Sequence, residues 1–131
     1  MREILFRGKR TINGDWVEGN LFILDSPNTN TQILIGTDIY HIPYYVIPST
    51  VGQYTGLTDK NGKKIFEGDI IDTPDRLIKV VWFAGNAQFD LHFIRFKDDI
   101  TITNFKGIHM RDLKEYEVIG NIHDNPELLE G

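Results

Sequence analysis

The sequence contains no cysteine. A chain without cysteine forms no disulfide, has no thiolate nucleophile and offers no thiolate ligands to zinc. These absences exclude a secreted disulfide scaffold and chemistry based on a cysteine nucleophile. A reducing compartment is tolerated, and we predict a cytoplasmic protein.

Long apolar runs are also missing. The N-terminal stretch MREILFRGKR is interrupted by Arg7, Lys9 and Arg10, far short of the roughly 20 apolar residues that span a bilayer. We therefore expect neither a signal segment nor a membrane span.

Patterns that carry catalysis or cofactor binding are scarce. The histidines lie in different predicted segments, and none forms the i, i+4 pair of a helical zinc motif: His41, His92, His109 and His123. Ser26 and Ser49 adjoin prolines and have no G-x-S-x-G setting. The glycines are spread over turns and are not gathered before a helix, so a phosphate-binding loop is unsupported. We predict no enzyme activity, no metal and no cofactor.

Positive charge is in short supply. Among 131 residues, 14 are Lys or Arg and 19 are Asp or Glu, which gives a net charge of -5. This balance weighs against general affinity for nucleic acid, which depends on cations that displace counterions from phosphates. Two basic groups remain, and we interpret them as solvated strand edges and turn tips: Arg2, Arg7, Lys9 and Arg10, and Lys60, Lys63 and Lys64.

What the chain does have is an apolar spacing of two, which is typical of strands. The length suits one domain, and we predict an all-β fold with a hairpin-rich lobe at 1–50 and a small SH3-like β-barrel at 51–131. In the first lobe, Asn13-Gly14 is typical of a type I′ turn between strands at Glu3–Lys9 and Trp16–Leu24.

The second of these strands has a distinct apolar face. We assign that face to the core: Val17, Gly19, Leu21 and Ile23. Because glycine has no side chain to pack, Gly19 predicts a bulge or a close crossing of strands. The polar composition of the following segment predicts a loop at Asp25–Thr31.

Further short strands are expected before the second lobe. The pattern predicts strands at Gln32–Ile35 and Ile39–Ile42. Tyr44–Ile47 lies between Pro43 and Pro48, and since proline cannot donate a ladder hydrogen bond, this piece belongs at a sheet edge or in a connection.

The stretch Val51–Asp72, VGQYTGLTDKNGKKIFEGDIID, opens the second lobe. Asp59–Gly62 predicts a reversal between two strands. Glu67-Gly68 predicts a second turn that needs positive φ at Gly68 before the next strand, as in small SH3-like barrels. Glu67, Asp69 and Asp72 could suggest a hydrolase pair or a magnesium site, but the turn explains them better.

The remaining pattern is simple. It predicts four strands, at Leu77–Phe83, Gln88–Phe96, Ile100–Phe105 and Glu115–Ile119. At the C-terminus, Asn125 suits a helix N-cap and Pro126 the first helical position. We therefore predict at most one helical turn there, docked by Leu128 and Leu129.

Three blocks of this chain together resemble the YopX-like family of phage and prophage proteins: MREILFRGKR with NGDWVEGNL, VGQYTGLTDKNGKKIFEGDII, and YEVIGNIHDNPELL. The resemblance implies β architecture, a phage or prophage origin and a bacterial cytoplasm as the place of action. It implies no activity and no catalytic residues. The turn and family-signature residues are Asn13, Gly14, Trp16, Gly52, Tyr54, Thr55, Gly56, Asn61, Gly62, Phe66, Glu67, Gly68, Asp69, Gly120, Asn121, Asn125 and Pro126.

Two hypotheses for function follow. The first is a non-catalytic accessory protein that acts through protein contacts, including homo-oligomer formation; its tyrosines suit an interface: Tyr40, Tyr44, Tyr45 and Tyr54. The alternative is a nucleic-acid-binding small β-barrel in which Trp82 or Phe89 stacks on bases. Strand and core packing also explains all of these aromatic residues.

Overall fold

A computed structural model describes residues 3–27, 29–38, 40–97 and 107–130. The predicted all-β class is confirmed. The strands in these ranges are β1 (Phe6–Lys9), β2 (Trp16–Ser26), β3 (Thr29–Gly36), β4 (Tyr44–Tyr45), β5 (Gly52–Thr58), β6 (Lys64–Phe66), β7 (Asp69–Asp72), β8 (Arg76–Phe83), β9 (Gln88–Phe96) and β10 (Glu117–Asn121). Short 3₁₀ helices occupy Pro48–Thr50, Met110–Glu115 and Pro126–Leu129.

The chain divides into two compact units, Met1–Tyr54 and Thr55–Gly131. In the first unit the antiparallel strand order is β4-β3-β2-β1-β5. Strand β5 crosses the boundary: Gly52 and Gln53 pair with β1, while its later residues adjoin β6 in the second unit. The predicted edge position of the Tyr44 segment is seen in β4, which ends this order.

The second unit contains a four-stranded antiparallel sheet in the order β10-β7-β8-β9. Its core is a cluster of buried aliphatic side chains: Ile65, Ile71, Ile78, Val80, Leu113 and Val118. Burial of such side chains contributes roughly 1.5–3 kcal/mol each, so this cluster accounts for much of the unit's stability. The strands described in this unit do not close into a barrel, so the all-β class is supported without the predicted closure.

The first hairpin forms as predicted, but the prediction of a type I′ turn is wrong. Gly14 has a φ of +76°, whereas Asn13 does not have positive φ, and type I′ requires it at both central residues. The reversal is longer: the Arg10 N–H donates to the Asp15 carbonyl over 2.8 Å, and the Gly14 N–H donates to the Arg10 carbonyl over 2.9 Å.

The polar segment Asp25–Thr31 is not a loop through its whole length. Strand β2 continues to Ser26 and β3 begins at Thr29, and these two residues pair. The hydroxyl of Thr31 donates to Asp25 Oδ1 over 2.6 Å across the hairpin. Polar side chains are compatible with strands whose faces are exposed, and this is why composition alone was misleading here.

Strand β2 approaches β3 very closely at Gly19, as predicted. A Cβ atom at this position would lie 2.1 Å from the carbonyl oxygen of Gly36. The predicted core face holds only near the base of the strand: Val17 and Leu21 are half-buried, whereas Ile23 is 59% exposed. Over the described residues, the outer part of the β2–β3 hairpin is therefore exposed on that face.

The predicted strand at Ile39–Ile42 does not form over Tyr40–Ile42, and Ile39 lies outside the described residues. Oδ1 of Asp38 accepts the N–H groups of Tyr40 and His41 over 2.8 and 3.0 Å. Such local side-chain bonds compete with ladder pairing, because they satisfy the backbone within a turn.

Strands β8, β9 and β10 lie close to the predicted bounds, whereas the strand predicted at Ile100–Phe105 falls outside the described residues. The C-terminal helical turn is present with Pro126 in its first turn, but Asn125 makes no side-chain capping bond. The 3₁₀ helices at Pro48–Thr50 and Met110–Glu115 were not predicted. No helix among the described residues is long and apolar enough to cross a membrane.

Candidate functional site

Asp59, in the central signature stretch, has a carboxylate that accepts three backbone hydrogen bonds. Its Oδ1 accepts the N–H groups of Asn61 and Lys63 over 2.9 Å each. Its Oδ2 accepts the N–H of Val118, which is 59 residues away, over 3.0 Å. Asp59 is only 5% exposed. One carboxylate therefore closes a turn and attaches it to β10.

The pKa of Asp59 reflects this geometry. Burial acts to raise the pKa of the carboxyl, but the backbone N–H donors from Val118, Lys63 and Asn61 together outweigh burial and hold the pKa below its ordinary value. An ionised, fully bonded carboxylate stabilises structure and is a poor general base.

The second turn of the stretch is organised in the same way. Gly68 has a φ of +92°, as predicted. Its N–H donates to the Val80 carbonyl over 2.8 Å, and its carbonyl accepts the Ile122 N–H over 2.9 Å. Asp69 is 1% exposed, and its Oδ2 accepts the Phe66 N–H over 2.8 Å. Asp69 thus stabilises the backbone of this turn.

The signature residues of the tail form a third polar turn. Oδ1 of Asn121 accepts the N–H groups of His123 and Asp124 over 3.0 and 2.9 Å. Oδ1 of Asn125 accepts the N–H of Asn121 over 3.2 Å. This acceptor is therefore bonded to a residue that precedes Asn125, and it does not cap the helix that follows. A Cβ at Gly120 would lie 2.4 Å from that Asn125 oxygen, which explains glycine there.

Other signature residues also make backbone contacts. The hydroxyl of Thr55 donates to the Ile65 carbonyl over 2.8 Å, and Gly56 and Gly62 have φ values of +89° and +81°. Oδ1 of Asn13 accepts the Asp15 N–H over 3.0 Å. The tail and the central block from Thr55 onward lie in the second unit, whereas the Asn13 turn and the start of the central block, with Gly52 and Tyr54, belong to the first.

Basic and aromatic side chains meet on the first unit. The guanidinium of Arg7 lies 4.7 Å from the centre of the Trp16 ring, and Lys9 Nζ lies 5.6 Å from it. Arg10 lies 4.3 Å from the centre of the Tyr44 ring. Such contacts are typical of cation–π pairs, which are worth about 0.5–1 kcal/mol when exposed. Arg2, the fourth residue of the predicted basic group, lies outside the described residues.

The second unit contains a charged cleft that the sequence did not predict. Arg76 donates from Nε and Nη2 to the two carboxylate oxygens of Asp75 over 2.8 and 2.9 Å. The cavity beside this pair, of about 180 Å³, is lined by Pro74, Asp75, Arg76, Gly107, Ile108, Asp112, Glu115 and Tyr116. No local sequence pattern indicates this cleft, because an adjacent Asp and Arg are usually an exposed pair. Here Arg76 is only 6% exposed, and the sequence does not show this burial.

The electrostatics of the cleft follow from that pair. The hydrogen bond from Arg76 lowers the pKa of the Asp75 carboxyl, and the same bond raises the pKa of Arg76. Burial, followed by the charges of Asp112 and Glu115, raises the pKa of the Tyr116 phenol. Each of these three shifts keeps its group in the ordinary charge state at neutral pH.

The histidines and tyrosines remain dispersed. Within the described ranges, no three His, Asp or Glu side chains come together in a group that could hold a metal. His41 is exposed and its Nδ1 lies 2.7 Å from Asp38 Oδ1. Of the tyrosines predicted for an interface, Tyr40 and Tyr45 are exposed and Tyr54 is buried.

The structure is therefore an all-β protein of two units, in which most of the signature residues stabilise turns. The chain belongs to the YopX family, whose model, described as YopX protein, matches residues 5–130; the predicted resemblance is confirmed. A similar solved structure is the crystal structure of protein EF1440 from Enterococcus faecalis, which is 30% identical, has a TM-score of 0.55, and aligns over 99% of this chain and 100% of that chain. A search of curated proteins gives no match.

Proposed function

We propose that this chain is a non-catalytic phage or prophage accessory protein of the bacterial cytoplasm that acts through protein contacts, and that its first partner is a second copy of itself. The observation that supports this proposal is the outer part of the β2–β3 hairpin, residues 22–33, called here the β2–β3 arm.

Apolar side chains are exposed on both faces of the β2–β3 arm. Phe22, Ile23 and Leu24 are 46%, 59% and 51% exposed. Successive strand residues point to opposite faces, so Ile23 projects on one face, and Phe22 and Leu24 project on the other. A two-stranded ribbon with two exposed apolar faces is only marginally stable alone, and contact with a partner would bury part of this apolar surface.

The charge pattern favours a like partner. The segment from residue 20 to residue 36 contains one charged residue, Asp25, in a chain in which 25% of residues are charged. Two chains of net charge -5 repel each other, and a contact through the nearly uncharged β2–β3 arm brings few of those charges together. Interface cores are depleted of charge in the same way.

The backbone of the β2–β3 arm also has an edge. Strand β4 pairs with β3 at Leu34 and Ile35, and in the described part of the chain Thr29–Gln32 pairs with β2 alone. The lysines and prolines that usually protect such an edge are missing from Thr29–Gln32. A second copy can add a strand along this edge, and its own side chains can then stack on an exposed apolar face.

Sedimentation velocity over a wide concentration range tests this proposal. We expect the parent chain and Ile12→Lys, a control with a 79% exposed isoleucine outside the arm, to form the same oligomer. Ile23→Lys should sediment as a monomer, because a charge would be buried in the interface. A parent chain that is monomeric throughout, or Ile23→Lys that associates like the parent, would refute the proposal.

The nucleic-acid alternative is favoured by one observation, the cluster of Arg7, Lys9 and Trp16 on the first unit. Trp82, proposed to stack on bases, is 44% exposed but packs edge-on against Phe89 at 5.1 Å between ring centres. A shift assay with single- and double-stranded DNA distinguishes the proposals: micromolar binding that weakens steeply with salt and is lost in Lys9→Glu supports this alternative.

A further inference from the structure

Arg95 has an unmatched hydrogen-bond donor in the second unit. Its Nε atom is buried, and no acceptor for it is found in the described part of the chain. Buried donors almost always have a partner, and a charged donor without one is costly. An arginine in this situation needs an acceptor that the described chain does not supply.

The register of the sheet explains why Asp72, a carboxylate in the same cross-strand row, does not serve. Across the four strands, Glu117 pairs with Asp72, Asp72 with Leu77, and Leu77 with Arg95. Asp72 is therefore two strands from Arg95, roughly 10 Å away at the usual strand spacing. Asp72 is also occupied, because its Oδ1 lies 2.5 Å from Lys97 Nζ.

Arg95 lines a cavity of about 270 Å³ with Leu77, Lys97, Ile119 and Leu128. Three of these five residues are aliphatic, and Leu77 is 5% exposed. The cavity thus combines an apolar wall with a guanidinium whose Nε lacks an acceptor. Its volume is slightly below the range of roughly 300–1,000 Å³ that holds drug-sized ligands, so the space suits only a small ligand.

We propose that this cavity binds the carboxylate of a small organic acid that bears an aliphatic group about the size of a leucine side chain. The planar fork of a guanidinium matches the two oxygens of a carboxylate, and the aliphatic group packs against Leu77, Ile119 and Leu128. Such a carboxylate occurs in a free branched-chain acid and at the C-terminus of a polypeptide that ends in a leucine-like residue.

Calorimetric titration of the full chain with three compounds tests the site. N-acetyl-leucine carries the carboxylate and the side chain, 4-methylpentanoate keeps both without the amide, and N-acetyl-leucinamide removes the charge. We expect N-acetyl-leucine to bind at least about tenfold more tightly than the amide, since charge-assisted hydrogen bonds are lost with the carboxylate. Comparable binding of 4-methylpentanoate identifies a free acid as sufficient, and much weaker binding identifies a polypeptide terminus.

Variants assign the effect to Arg95. Arg95→Gln should weaken N-acetyl-leucine binding at least about tenfold, and Arg95→Lys should weaken it less because the charge remains without the fork. Arg111→Gln is the matched control: Arg111 is exposed and lies outside the cavity. Melting curves and amide spectra establish that each variant is folded. Equal binding of acid and amide, undiminished binding by folded Arg95→Gln, or no binding of either acid overturns the proposal.

Discussion

Replacing Asp59 by asparagine should destabilise the second unit far beyond an ordinary surface change. The carboxylate accepts two N–H groups of its own turn at Oδ1 and the Val118 N–H at Oδ2. Asparagine replaces one oxygen by an NH₂ donor. If its oxygen keeps the turn, its NH₂ group faces the Val118 N–H and two donors meet.

The magnitude follows from these contacts. A hydrogen bond to a charged group contributes about 1.5–3 kcal/mol, and a buried donor left without a partner costs about 1–3 kcal/mol. We expect Asp59→Asn to lower the free energy of unfolding by about 2–3 kcal/mol. Asp59→Ala removes all three acceptor contacts and should cost about 3–5 kcal/mol.

Urea unfolding followed by Trp82 fluorescence in a Trp16→Phe background reports on the second unit, because Trp16 lies in the first. Hydrogen exchange of the Val118 amide reports on the bond itself and should accelerate in Asp59→Asn. Glu130→Gln, an exposed carboxylate of the same unit, is the control. If Asp59→Asn unfolds within about 0.5 kcal/mol of the parent and Val118 exchange is unchanged, the assigned role of Asp59 is wrong.

The pKa of Asp59 adds a pH signature. The folded-state pKa lies below its ordinary value, so the ionised carboxylate stabilises the fold above that ordinary value, about 3.9 for aspartate. This contribution is lost as the pH falls through the folded-state pKa. The difference between the parent and Asp59→Asn should therefore be constant above about pH 5 and shrink below about pH 4. A difference that grows on acidification would contradict this reasoning.

Two glycine substitutions test the backbone. Gly68→Val should lower the free energy of unfolding by at least about 1–2 kcal/mol, because a β-branched residue is strained at positive φ. An unchanged melting temperature would refute this reasoning. The control is Gly107→Ala at an exposed position, where the new Cβ meets nothing within 4 Å. Gly19→Ala should lower the free energy of unfolding by about 1–3 kcal/mol, because its Cβ would meet the Gly36 carbonyl. Thermal unfolding followed by Trp16 fluorescence measures this loss of stability. A transition like that of the parent chain would show that β2 and β3 move apart at this point without a loss of stability.

Local signals were reliable where the cause was local. The alternation of apolar residues located β8 and β9 nearly to the residue, and positive φ at Gly68 followed from the turn sequence around it. The wrong predictions of strands and loops fall where local side-chain hydrogen bonds compete with strand pairing, or where polar residues pair as strands. The side chain of Asp38 bonds its neighbours into a turn, and within the polar segment Asp25–Thr31 strand pairing reaches Ser26 and resumes at Thr29.

The candidate site could be predicted only in part. The sequence suggested that Asp59 and Asp69 serve turns, and the structure places both carboxylates on backbone N–H groups. The Arg76–Asp75 cleft and the Arg95 cavity left no local signature. Both depend on burial, which a residue's own neighbours in the chain do not determine.

By itself, the sequence determined the all-β class, the family and the positions of most turns, because strand alternation and glycine conformation are properties of a few consecutive residues. Only the tertiary structure decided that Asp59 binds β10 through Val118, and that Arg95 lies two strands from Asp72 with Leu77 between them. The physical reason is the register of strands distant in sequence. A shift of one residue would move every side chain to the other face and rearrange each of these contacts.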